Sequence, residues 1–492
     1  MRRLRFATLI VLATLAGCQS LAEPRAGDAK SPVSQASYFD PAPEPPSLLA
    51  APPDVEELPE AESKSLEPKQ GNQLTLPLGA GESLSLRDAA AITLGQNPDL
   101  IATRQAEGVS QGALGVAETY PFNPWVQVQV APSPQRRDGS TGTTAHYILL
   151  IQTLQLAHQR QHREAAAQSV LNGTRWNIVQ AELQAVAQTE RLYFMALYRQ
   201  GLRDVLRENA ALSREVLTIS EKQLAAGALS KSDVAIARLD EAASRQRAEL
   251  GEANYQTALL DLRRQLNLPM EHSLELRGSL ADLQFSPTTS AAASTQIGNE
   301  NLPVGMPQIA EQLAANRPDV LAAHSDFDAS RANLNLAHAN RVPDLQVGPF
   351  YQQTDNGTVH WGIRAQSDLP VLNTGMPLVR QRAAEVNQRQ SVWQQLQARA
   401  SLEAQAAIDR YERARRIAAD AGISGKELPE ELTKLEAQFK AGEIDLLRIV
   451  TARTSLLAAR QAHLDILSEL AQSAAALTAA TGLPPEVIVG VR

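Results

Sequence analysis

Trp125-Val126-Gln127-Val128-Gln129-Val130 puts its valines on one face of an extended chain and its glutamines on the other, because side chains alternate along a strand. Val359-His360-Trp361-Gly362-Ile363-Arg364-Ala365-Gln366 repeats the pattern, with Val359, Trp361, Ile363 and Ala365 as its apolar set. Asp344 to Gln352 places Leu345, Val347 and Tyr351 together, whereas His146 to Gln152 is more continuously apolar and alternates poorly. Each stretch approaches the ~9–11 residues that a tilted strand needs to span a bilayer. Apolar outside and polar inside is the pattern of a barrel wall around a wet lumen, which Gln127, Gln129, Arg364 and Gln366 would line. On alternation alone, a small hairpin on a soluble helical protein fits the same residues. The links Arg136 to Gly142 and Asp355-Asn356-Gly357 carry the Gly/Asn chemistry of hairpin turns.

Outward from the strands, the sequence repeats at long range. Asn97-Pro98-Asp99-Leu100 returns as Arg317-Pro318-Asp319-Val320, 220 residues on, and Gln223-Leu224-Ala225-Ala226-Gly227 returns as Gln438-Phe439-Lys440-Ala441-Gly442, 215 residues on. Asn267-Leu268-Pro269 is echoed by Gly482-Leu483-Pro484. Ordered matches at nearly constant spacing predict a duplicated unit, with halves at 81–300 and 301–492. Each half is expected to open with one helix of about 30 residues, Leu86 to Thr119 and Pro307 to Asn340. Two strands and a very long helical stretch then follow. No proline occurs between Pro134 and Pro269, and Leu212, Val216 and Ile219 or Leu457, Leu464, Leu467 and Leu470 recur at helical spacing. A helix from about His162 to Ala225 would extend roughly 95 Å, which predicts coiled-coil-like packing against neighbours.

The ends and the composition narrow the function. Arg2, Arg3 and Arg5 precede an apolar run from Phe6 to Ala16, so residues 1–17 read as a signal peptide. Leu15-Ala16-Gly17-Cys18 resembles a bacterial lipobox, in which Cys18 would carry acyl chains such as palmitate. Two chains, at ~0.8 kcal/mol per buried methylene, give a stable anchor. An ordinary signal peptide with an incidental cysteine is the other reading. Gln19 stands where an Asp commonly signals inner-membrane retention, which favours the outer membrane. Cys18 is the sole cysteine, so the chain can form no internal disulfide. Residues 18–80, rich in Pro, Ala, Glu and Ser, read as a lipid-anchored tether. The net charge of -8 supplies no basic field for nucleic acid. No run of 18 apolar residues follows the N-terminus, so any membrane crossing falls to strands.

Catalytic chemistry is not expected. His158 and His162 stand one helical turn apart without an evident third metal ligand. His338 and His360 read as interfacial residues near strand ends. There is no phosphate-binding Gly-Lys-Ser loop, paired-histidine metalloprotease helix or nucleophile elbow. Neither a metal nor a cofactor is predicted. Four strands cannot close a barrel, and an open edge cannot sit in lipid, so a membrane role requires several chains to share one barrel.

Asn316-Arg317-Pro318-Asp319-Val320-Leu321-Ala322-Ala323, Ala337 to Leu345, and Asp368-Leu369-Pro370-Val371-Leu372-Asn373-Thr374-Gly375 resemble the TolC-type outer membrane factors. These include the outer-membrane efflux lipoproteins of drug and heavy-metal pumps, and the likeness runs roughly from Leu84 to Pro484. It implies a mainly α protein with membrane β: a homotrimer whose twelve strands form one outer-membrane barrel, continued by a long antiparallel α-helical tunnel in the periplasm. It further implies passive conduction from an inner-membrane pump, through a periplasmic adaptor (membrane fusion) protein, to the outside. The adaptor would meet the helical tips at Ala226, Gly227 and Ala228 and at Ala441, Gly442 and Glu443. Relatives can carry an acidic constriction beyond the second tip; here Asp445-Leu446-Leu447-Arg448-Ile449-Val450-Thr451 has one carboxylate and an arginine. Two other readings are a lipid-anchored periplasmic coiled-coil scaffold without a pore, and the duct of a protein secretion system.

Overall fold

The computed structural model describes residues 83–133, 139–270, 274–286, 306–424, 434, 437–438, 445–483 and 489–490. The chain divides into units Met1–Gln73 and Leu74–Arg492, and every described residue belongs to the second. Cys18, the signal peptide, the tether and the tip residues Ala441, Gly442 and Glu443 lie outside the described residues.

The opening helix of each half is broken in two, contrary to the single helix expected from its periodicity. α1 (Leu86–Gln96) gives way to α2 (Pro98–Glu118) at Asn97, whose backbone is extended at φ -65° and ψ 120°. In the second half α5 (Met306–Ala315) and α6 (Pro318–Ala339) are separated the same way, with Arg317 at φ -62° and ψ 137°. The cause is the proline, which lacks an N–H and pushes the preceding residue out of helical conformation. Asn97 then caps α2, its side-chain oxygen accepting from the N–H groups of Asp99 (3.0 Å) and Leu100 (3.3 Å). Its amide donates to the Gln265 carbonyl, whereas Arg317 donates to the Ala480 carbonyl. Each break is thereby tied to the end of the last helix of its own half. Asn97→Ala should lower stability by ~1–2 kcal/mol in a urea titration, since it removes a cap and a tertiary contact.

α3 (Gln159–Ala225) is a single helix of 67 residues, about 100 Å long. It reverses into α4 (Lys231–Leu266), and the pair is laced by Arg238–Glu221, Arg207–Glu252 and a Ser213 hydroxyl donating to Asp240. The second half supplies α7 (Met376–Ser424) and α8 (Leu446–Thr481). α3 packs against α2, α4, α6 and α8, and α7 packs against α6 and α8. Their main core joins Tyr193, Phe194, Leu262, Leu266, Tyr411 and Leu477. Arg317 pins this region by donating to Asp319 and to Glu403 of α7. Among the described residues, no helix is long and apolar enough to cross a membrane.

β1 (Trp125–Ala131), β2 (Ala145–Leu154), β4 (Leu345–Gln353) and β5 (Val359–Ser367) form one antiparallel sheet in the order β1-β2-β4-β5. The seam β2–β4 joins the hairpin of one half to that of the other. β3 (Gln284–Phe285) and β6 (Val489–Gly490) pair separately. β2, which alternates poorly in composition, alternates cleanly in burial: Leu149, Ile151 and Thr153 are buried, whereas Ile148, Leu150 and Leu154 are exposed. As an inner strand it carries apolar side chains on both faces, which hides the period from the sequence.

Candidate functional site

The register decides which side chains share a face. Gln127 pairs with Leu149 and Gln129 with Tyr147, and these two pair onward with Phe350 and Gln352. Across the next seam Arg364 faces Gly348, Gln366 faces Gln346, and His360 faces Gln352. Gln127, Gln129, Arg364 and Gln366 therefore stand on one face of one sheet. The other face carries Val126, Val128, Ile148, Leu150, Trp361 and Ile363, and Trp361 and Ile363 are 77% and 78% exposed. An exposed apolar patch of this kind marks a surface that meets lipid or protein.

The polar face is less uniform than its glutamines suggest. Leu149, Ile151 and Phe350 lie among them, and a cavity of about 340 Å³ is lined by Gln127, Gln129, Tyr147, Gln352 and Arg364. The Arg364 guanidinium donates to the Tyr147 hydroxyl (3.3 Å) and to Gln366 Oε1 (3.0 Å). Two glycines on this face are fixed by close approach. A Cβ on Gly362 would lie 2.5 Å from the Phe350 ring, and one on Gly348 would lie 1.7 Å from the Leu150 carbonyl oxygen. Sequence reasoning missed both, although glycine inside a strand is itself a signal of close contact.

Where strands give way to helices, a cavity of about 1160 Å³ is lined by Phe122, Trp125, Arg341, Asp344, Gln366, Asp368 and the segment Leu369 to Leu372. Burial, and then the neighbouring Asp368, raise the Asp344 carboxyl above its ordinary range. His338 lies in the last turn of α6. His158 precedes α3 in the left-handed region at φ 58°, and among the described residues no three His, Cys, Asp or Glu side chains gather as metal ligands.

At the far end of α3 the chain reverses through a complete glycine cap. Gly227 adopts φ 77°, its N–H donates to the Leu224 carbonyl (3.0 Å), and the Ala228 N–H donates to the Gln223 carbonyl (2.8 Å). Glycine takes this conformation without a Cβ penalty. Ser230 then caps α4 reciprocally with Asp233, whose carboxyl the Ser230 hydrogen bonds hold below its usual range. Ala226, Gly227 and Ala228 are exposed. At the start of α8, Leu446 and Ile449 are buried against Val216 and Ala237, while Asp445, Leu447, Arg448 and Thr451 are exposed.

A four-stranded sheet with one polar and one apolar face, joined to helices of this length, is a fold that this chain shares with solved outer-membrane channels. The Campylobacter jejuni CmeC outer membrane channel shares it at a TM-score of 0.64 and 16% identity, over 81% of this chain and 85% of that one. Residues 309–483 match the model of the family Outer membrane efflux protein. The cation efflux system protein CusC of Escherichia coli O6:H1 is 25% identical over 195 residues, 37% of this chain and 41% of that protein. The pyoverdine export outer membrane protein OpmQ of Pseudomonas putida is 23% identical over 239 residues, 47% of each. The chain thus spans less than half the length of these two relatives. Together the findings support an outer membrane factor of the TolC type.

Proposed function

We propose that this chain is the outer-membrane channel subunit of a tripartite efflux assembly, conducting cargo passively from an inner-membrane pump and periplasmic adaptor to the outside. The observation that carries this reading is the sorting of side chains across the sheet. The four polar residues share one face, and the opposite face exposes Val126, Val128, Trp361 and Ile363. That apolar face suits lipid, and the polar one suits a hydrated lumen. β1 and β5 are the sheet's outer strands, and each unpaired backbone group in lipid would cost several kcal/mol. Closure therefore calls for further copies, and a homotrimer gives twelve strands. Cys18 supplies a lipid anchor to the outer membrane, with the helices forming a tunnel in the periplasm.

Purified protein in a planar bilayer should give stepwise conductance, with cysteines introduced on the apolar face shielded from water-soluble thiol reagents. No conductance, together with reagent access on both faces, would favour the pore-free scaffold. The exposed turn Ala226-Gly227-Ala228 and its counterpart Ala441-Gly442-Glu443 are the adaptor-contacting tips of this reading. A photo-crosslinker at Ala228 should capture the adaptor; capture only from the strand end would refute the tip assignment.

A further inference from the structure

On the polar face of the sheet, Arg364 is unlike its neighbours. Around it stand the amides of Gln127, Gln129, Gln352 and Gln366, and its two hydrogen bonds go to neutral groups, the Tyr147 hydroxyl and Gln366 Oε1. Among the described residues, no carboxylate pairs with it. The carboxylates on this side of β4 and β5, Asp344 and Asp368, lie beyond the last rung of the ladder. Four residues along β5 separate Asp368 from Arg364, about 13 Å at strand rise, which exceeds the ~8–10 Å over which salt screens charge. The rung opposite Arg364 is Gly348, so no side chain there covers the guanidinium.

We infer that Arg364 makes this part of the duct a subsite for carboxylate-bearing, anionic cargo; the inference rests on the channel reading above. Guanidinium presents a planar fork of donors that matches a carboxylate at two points. The glutamine amides and the Tyr147 hydroxyl supply further neutral donors around the cavity of about 340 Å³. The same residues offer a cation no oxygen charge and repel it at Arg364. In a closed assembly each copy contributes one guanidinium, so the anion meets a ring of them.

The test is block of potassium chloride current in planar bilayers by citrate, with tetraethylammonium as the cationic comparison. Citrate should reduce wild-type conductance, with about fivefold weaker apparent affinity in Arg364→Gln, as for an exposed charge pair. Arg364→Lys should fall between, because it keeps the charge without the fork. Tetraethylammonium should act alike on all three proteins. Equal citrate block of wild type and Arg364→Gln, or stronger block by tetraethylammonium than by citrate, overturns the inference while leaving the channel intact. Absence of any conductance removes the channel reading, and the subsite with it. Current through Arg364→Gln in plain potassium chloride reports that this variant has folded and assembled.

Discussion

Gly348→Ala unpairs the central seam of the sheet, and Gly348→Val prevents the strand region from folding. A Cβ at this position would lie 1.7 Å from the Leu150 carbonyl oxygen, 2.7 Å from its carbon and 3.1 Å from the Ile151 Cα. All three are backbone atoms of β2, so no side chain can swing aside. The next residue, Pro349, fixes its own φ and gives the ladder no N–H, and the regular rungs stop at Leu149–Phe350 and resume at Gln152–Val347. Relief therefore requires β2 and β4 to separate where the two halves meet. Overpacking a core costs ~1–3 kcal/mol when side chains can adjust; here the loss should exceed that range. Thermal melts of the strand signal by circular dichroism measure it. Gly108→Ala is the comparison, because a Cβ there meets none of the described residues within 4 Å and alanine favours an exposed helix by ~0.5–1 kcal/mol. Equal melting of Gly348→Ala and wild type would show that the close approach of the strands is not a constraint.

Glu190→Gln stabilises the protein strongly in alkali and little in acid. Glu190 lies on α3, 1% exposed, beside Thr478 of α8 and next to the buried Thr93–Thr189 hydroxyl pair. Among the described residues its Oε1 has no hydrogen-bond partner. Burial pushes its pKa from 4.5 to about 8, against smaller opposing effects of the Thr478 hydrogen bond and the Arg191 charge. The folded state therefore keeps a proton that the unfolded chain releases near pH 4.5. The contribution is fully present below that pH and is lost as pH rises through about 8. At 1.36 kcal/mol for each pKa step, the whole window is worth on the order of 5 kcal/mol. Urea midpoints at pH 5, 7 and 9 should fall steeply for wild type and stay nearly level for Glu190→Gln, whose amide keeps a polar group toward Thr478. Parallel curves for the two proteins would mean that Glu190 stays ionised in the fold.

The strand period was readable because it is local: alternation in Trp125 to Val130 and Val359 to Gln366 depends only on adjacent residues. The same holds for the turn at Gly227, where one residue type satisfies the required backbone. The breaks at Asn97 and Arg317 were also written locally, in Pro98 and Pro318. Apolar periodicity on either side of each break masked them. β2 concealed its burial pattern because an inner strand is apolar on both faces.

By itself, then, the sequence determined where the four strands of the main sheet lie, where the first long helix reverses, and that Gln127, Gln129, Arg364 and Gln366 alternate with apolar neighbours; the short β3–β6 pair was not legible in it. Only the tertiary structure decided that these four share one face, because the order β1-β2-β4-β5 and its register join segments about 200 residues apart. It also decided that Gly348 meets the backbone of β2 and that Glu190 is sealed between helices. Period and turn chemistry act between near neighbours in the chain, whereas close approach and desolvation depend on whatever folding brings alongside.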